Sequence, residues 1–149
     1  MVEYLSSSTD LLRDDAVSHG ADVAEVDRAI AALRPPAHGV YDAVIDLGDR
    51  AATIAHLGRG HTAADLVVVV PADDGSRPVV FTGDLVEESA DPAIDTDSDV
   101  AAWPATLERV LDTGGPQAIY VPGHGKIVDA EFVRRQRDWL AEHATRAPD

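Results

Sequence analysis

Three apolar runs in this chain end in glycine-containing turns, and each turn carries a side chain able to ligate a metal. The turns are Gly58-Arg59-Gly60-His61-Thr62, Thr82-Gly83-Asp84 and Val121-Pro122-Gly123-His124-Gly125. Glycine lets the backbone turn where a Cβ would clash, and the end of a strand holds the following side chain still. If the runs are strands of one sheet that end at the same edge, His61, Asp84 and His124 are brought together. Imidazole and carboxylate are donors that zinc accepts, and manganese or iron tolerate the same set.

Composition narrows the alternatives. At 149 residues, 45% apolar and 26% charged, the chain has the size and chemistry of one globular domain. With no cysteine, disulfides, thiolate metal sites and cysteine nucleophiles are excluded. A formal charge of −15, from 27 acidic against 12 basic groups, repels phosphate backbones and anionic headgroups, so neither nucleic acid nor a membrane is an expected partner. The apolar run from Leu66 to Val70 is closed by Pro71 and is too short to cross a bilayer. The N-terminus lacks a basic region followed by an apolar one, so a cytoplasmic location is expected.

The first third is helical in period. Val2, Leu5, Leu11, Leu12 and Val17 form a broken apolar stripe with Ser8 or Thr9 as cap, and Val23, Val26, Ile30 and Leu33 form a second, which Pro35-Pro36 ends. From Tyr41 the period changes. Ala43–Leu47 and Ala52–Leu57 flank a Gly48-Asp49 turn and predict a hairpin. The valine run 66–70 predicts a strand buried on both faces, paired with 79–82 across Asp73-Asp74-Gly75. A helix capped by Asp97 or Ser98 follows, with Val100, Trp103, Leu107, Val110 and Leu111 on one face, and it stops near Gly114-Gly115. Ala118–Val121 is the last strand. The closing helix, from Ala130 to about His143, turns Phe132, Val133, Trp139 and Leu140 inward and Arg134, Arg135 and Arg137 outward. The domain therefore reads as a helical lead-in (1–36), a sheet with its ligand-bearing turns (41–125) and a C-terminal helix (130–145).

In order and spacing, the three turns resemble the C-terminal half of the metallo-β-lactamase fold superfamily, especially its glyoxalase II-like and lactonase-like hydrolases. That resemblance implies an α/β (α+β) fold: half, or a truncated form, of a four-layer αββα sandwich, with one mixed sheet covered by helices. It implies two zinc ions per complete site. His61 would complete the first metal site, Asp84 would bridge both metals and take part in catalysis, and His124 would end the second site. The implied reaction is hydrolysis of a small-molecule ester, thioester or lactone by metal-bound hydroxide.

The His-x-His-x-Asp-His motif of the family's N-terminal half does not occur here; His19, His38 and His56 each stand alone. By the resemblance, four of seven ligands are missing and the chain is expected to begin downstream of that motif. Three expectations follow. The three remaining ligands converge at best on a single, weakly held ion. With its sheet face bare, the chain dimerises, pairs with a separate N-terminal half, or is marginally stable. The alternative to a weak or inactive hydrolase is a noncatalytic remnant serving as an interaction module. Among neighbouring residues, His56 reads as a packed group, Asp65 as a turn cap, Trp103 and Trp139 as core, and Glu87, Glu88 and Lys126 as solvated.

Overall fold

The structure, a computed structural model, describes residues 9–34, 39 and 42–145. Within the single domain expected over 1–149, the packing separates two compact units, Met1–Val40 and Tyr41–Asp149. The expected roles of Val2, Leu5, Pro35, Pro36 and His38 lie outside the described residues.

The first unit contains α1 (Thr9–Ser18) and α2 (Val23–Ala32). Asp22 caps α2, its carboxylate accepting the Glu25 N–H at 3.0 Å and so satisfying one of the donors a helix start leaves unpaired. Arg13 donates to Asp27 at 2.7 Å and ties the helices together. Neither helix buries a side chain fully, and Leu11 and Leu12 of the expected apolar stripe are exposed.

The second unit is a five-stranded sheet, β1 (Asp42–Asp46), β2 (Ala51–Ala55), β3 (Val67–Val70), β4 (Val79–Glu87) and β5 (Ile119–His124), in the spatial order of the sequence. The first four strands are antiparallel and β5 runs parallel to β4. That parallel step needs a crossover, and α3 (Trp103–Gly114) supplies it; α4 (Ala130–Ala144) closes the chain against α3. The architecture is the mixed sheet with helices expected from the sequence, including the β1–β2 hairpin, whose turn glycine, Gly48, has φ +94°.

One face of the sheet meets the helices. Val67, Val80 and Tyr120 join Trp103, Leu107, Val110, Val133 and Leu140 in a core where each is fully buried. A buried Leu or Val contributes about 1.5–3 kcal/mol, so this face dominates the unit's stability. On the other face, register aligns Ala43, Ile54, Val68, Phe81 and Val121 across all five strands, and none of these is fully buried. The valine run is therefore buried on one face, not both: Val67 is enclosed while Val68, Val69 and Val70 are partly open.

The helix ends follow local chemistry, with one correction. Asp129 caps α4 by accepting from the Phe132 N–H at 2.9 Å. Neither Asp97 nor Ser98 caps α3. Asp99 accepts from the Ala102 N–H at 3.0 Å, one turn ahead of a helix that begins at Trp103-Pro104. Ser98 is engaged elsewhere, donating its hydroxyl to the His61 carbonyl at 3.0 Å. Among the described residues, no helix is long and apolar enough to cross a membrane.

Candidate metal centre

Asp84 owes its position to a broken strand. β4 and β5 pair regularly up to Phe81 and Val121, then shift register at Gly83 and again before Glu87. Pro122, opposite Gly83, has no N–H to give the ladder, and Gly83 turns with φ +52°. The resulting irregularity breaks the alternation of side chains, so that Leu85 and Val86 are both buried. It aims Asp84 at the edge of the sheet. Side chains replace the lost ladder: the Leu85 carbonyl accepts from Trp103 Nε1 at 3.0 Å and Gln136 Nε2 at 2.8 Å. Gln136 Oε1 in turn accepts the Glu87 N–H at 3.0 Å. The backbone of Gly123 lies directly against the carboxylate; a Cβ there would fall 1.9 Å from Asp84 Oδ1, so only glycine leaves the acid its place.

His61 sits in a loop clamped at both sides. The Thr62 N–H and hydroxyl donate to Asp65 at 2.9 and 2.8 Å, which makes Asp65 the turn cap read from the sequence. On the other side, Asp99 N–H donates to the Gly60 carbonyl at 2.8 Å. Behind the loop, the Thr106 hydroxyl donates to the Arg59 carbonyl at 2.6 Å, and Arg109 Nε donates to the Leu57 carbonyl. Gly60 must be glycine because a Cβ would lie 2.6 Å from Leu85 and 2.8 Å from the Trp103 ring. The imidazole packs edge-on to Trp103, centroids 5.9 Å apart, and its Nδ1 lies 3.3 Å from the Ala93 carbonyl. A carbonyl only accepts, so Nδ1 is the donor in this contact and Nε2 is the nitrogen left to face Asp84.

The structure brings the three candidate ligands together through Asp84. His61 Nε2 lies 3.7 Å from Asp84 Oδ2, and His124 Nε2 lies 3.5 Å from Asp84 Oδ1. Two donors on one tetrahedral zinc, each about 2.1 Å from it, stand about 3.4 Å apart, so each pair has a suitable span and donor type. The imidazoles address opposite oxygens of the carboxylate. Among the described residues, no set of three or more His, Cys, Asp or Glu gathers to hold a metal ion. The expected convergence of His61, Asp84 and His124 on a single ion is therefore not what the fold provides. It provides two imidazole–carboxylate pairs that share Asp84. The donors fit a metal in kind and spacing and fall short in number, because zinc sites take three or four protein ligands.

Two neighbours read as solvated act locally. Glu88 Oε2 accepts the Lys126 N–H at 2.7 Å, and Glu87 accepts the Ser89 N–H at 3.0 Å. Of the core expectations, Trp103 is fully buried, whereas Trp139 is partly open and stacks on His143 with centroids 3.6 Å apart. His56 Nε2 lies 3.3 Å from the Ala63 carbonyl, within its own loop. Gln136 was missed by sequence reasoning. Its place on α4 between Val133 and Leu140 was the available signal, because that spacing lies on the helix's inward face.

No family model matches the chain. A metallo-β-lactamase type 2 of Bacteroides fragilis is 31% identical over 114 residues, which are 74% of this chain and 44% of that protein. The crystal structure of DIM-1 metallo-β-lactamase superposes with a TM-score of 0.60 at 25% identity, over 74% of this chain and 50% of that one. A metallo-β-lactamase from Pontibacter korlensis gives a TM-score of 0.63 at 21% identity, over 85% of this chain and 61% of that one. The chain thus spans less than half the length of that curated relative. By fold and by sequence, it belongs to the metallo-β-lactamase fold superfamily and corresponds to about half of a member.

Proposed function

We propose that the chain contributes half of a dinuclear metallohydrolase centre, in which Asp84 would help to hold two zinc ions, one together with His61 and the other with His124. The observation that carries this reading is the placement of the Asp84 carboxylate between two imidazoles, at 3.7 Å from one oxygen and 3.5 Å from the other. His61 supports it further. With Nδ1 held by a backbone carbonyl, Nε2 is the ring nitrogen turned toward the carboxylate, 3.7 Å from Asp84 Oδ2. Ligating histidines commonly donate their second ring N–H in this way.

Bound divalent ions would polarise a substrate carbonyl and activate water near neutral pH. This chain's residues hold and orient. Gly123, lacking a Cβ, leaves room for one Asp84 oxygen, and the clamped 58–65 loop positions the His61 ring. The substrate class we favour is a carbonyl ester, thioester or lactone, since the resemblance puts Asp84 where some β-lactamases carry cysteine. The named relatives favour a second reading, the cyclic amide of a β-lactam. In the same reading, the partly open row through Ile54, Val68, Phe81 and Val121 is the face on which the second sheet of a four-layer sandwich packs.

Two donors per ion set a weak affinity, in the micromolar range or worse. The test is calorimetric zinc titration of the chain, followed by assays with a thioester, a lactone and a chromogenic β-lactam. Weak uptake that disappears in Asp84→Ala supports the centre. Uptake that survives in Asp84→Ala, or none in the wild-type chain, sinks it.

A further inference from the structure

We infer that Glu88 is a positioning residue for His124, holding the turn that aims its imidazole at Asp84. The inference rests on the metal centre proposed above for its functional meaning, and on local geometry alone for its existence. His124 ends β5 and is largely exposed, so packing does not fix it; its side chain is 67% accessible, against 20% for His61. The chain then turns sharply at Gly125, with φ +93°. Glu88 grips this turn from two directions. Its backbone N–H donates to the His124 carbonyl at 3.2 Å, and its carboxylate accepts the Lys126 N–H at 2.7 Å.

The grip is close as well as bonded. A Cβ on Gly125 would lie 2.5 Å from Glu88 Oε2 and 2.7 Å from the Ser89 nitrogen, so the glycine is needed both for its φ and for the space Glu88 fills. A charged acceptor on a backbone N–H is among the stronger hydrogen bonds. It lies one residue beyond the strand irregularity's last paired position, Glu87 with His124. Glu88 therefore couples the segment carrying Asp84 to the segment carrying His124, where β4 and β5 no longer form a continuous ladder. Asp65 does the equivalent for His61 through Thr62.

The test compares the wild-type chain with Glu88→Ala, Glu88→Asp and Glu88→Gln, each first shown to melt cooperatively. In metal-free protein, amide exchange at Lys126 and NMR signals of the histidine rings report the turn directly. Glu88→Ala is expected to speed Lys126 exchange at least about tenfold and to shift the His124 ring signals while leaving those of His61 in place. Zinc titration is expected to show about a tenfold loss of affinity, the scale of losing a group that orients a ligand. Glu88→Gln keeps an acceptor oxygen at the same reach and is expected to restore all three readouts, whereas Glu88→Asp, one methylene shorter, is not. Unchanged His124 signals in folded Glu88→Ala overturn the inference, as does a Gln variant that behaves like Ala. If the wild-type chain takes up no zinc, the metal-centre reading falls by itself, and the metal-free signals of His124 and Lys126 still decide the role of Glu88.

Discussion

The indole of Trp103 donates to the carbonyl of Leu85 at 3.0 Å, one residue beyond Asp84. The helix that crosses over between β4 and β5 therefore holds, by its first side chain, the backbone that aims the Asp84 carboxylate. Replacing Trp103 with Phe removes this donor while Gln136 still serves the same carbonyl. The expected cost is about 1 kcal/mol from the lost bond, plus the smaller ring's cavity. Gln136→Leu should cost more, about 1–3 kcal/mol, because it leaves the Glu87 N–H without its partner. Urea unfolding of the two variants tests the order.

Gly60 packs where a methyl group cannot go, against Leu85 and the Trp103 ring. Gly60→Ala is expected to destabilise the protein by about 1–3 kcal/mol, the usual range for overpacking. Because the displaced groups back the His61 loop, zinc affinity should fall with it. A variant as stable as wild type, with unchanged zinc uptake, would show that the loop relaxes freely.

Tyr120 is fully buried and donates its hydroxyl to the Gly115 carbonyl at 3.1 Å. Burial raises its pKa above the ordinary phenol value. The folded protein thus retains a proton that the unfolded chain releases near pH 10. The stability contributed by Tyr120 is complete below that pH and is lost as pH rises through the folded pKa. Absorbance titration should show a tyrosine step above the ordinary phenol range, and Tyr120→Phe should remove that late step. A late step that persists in Tyr120→Phe would contradict the assignment.

His61 and His124 meet different oxygens of Asp84. Zinc affinity should therefore fall further in Asp84→Ala than in His61→Ala or His124→Ala, each single histidine variant keeping one imidazole–carboxylate pair. Addition of a chelator should return the wild-type melting temperature to its metal-free value, since a ligand stabilises only in proportion to its occupancy. Equal losses in all three variants would point instead to one shared ion.

Much of this protein was legible from local chemistry. Gly48, Gly75 and Gly115, each with φ near +80 to +95°, punctuate the chain where turns and helix ends were expected, because a positive φ is a local demand that only glycine meets cheaply. Helical period located α3 and α4, because one buried helix face imposes its own spacing, and short apolar runs between turn residues located the strands. The turns carrying His61, Asp84 and His124 were visible as residue types in a recurring context. What tertiary structure alone decided is how they meet. The interruption of β4 arises from Pro122 on a neighbouring strand, the support of Leu85 from Trp103 and Gln136 on two different helices, and the hold on the His124 turn from Glu88. Each of these is a contact between residues 18 to 51 positions apart in sequence, or across a strand pair, and a hydrogen bond of that reach leaves no period in the sequence. The sequence by itself determined which side chains could serve a metal. The way the sheet breaks determined that the two imidazoles approach opposite oxygens of one carboxylate.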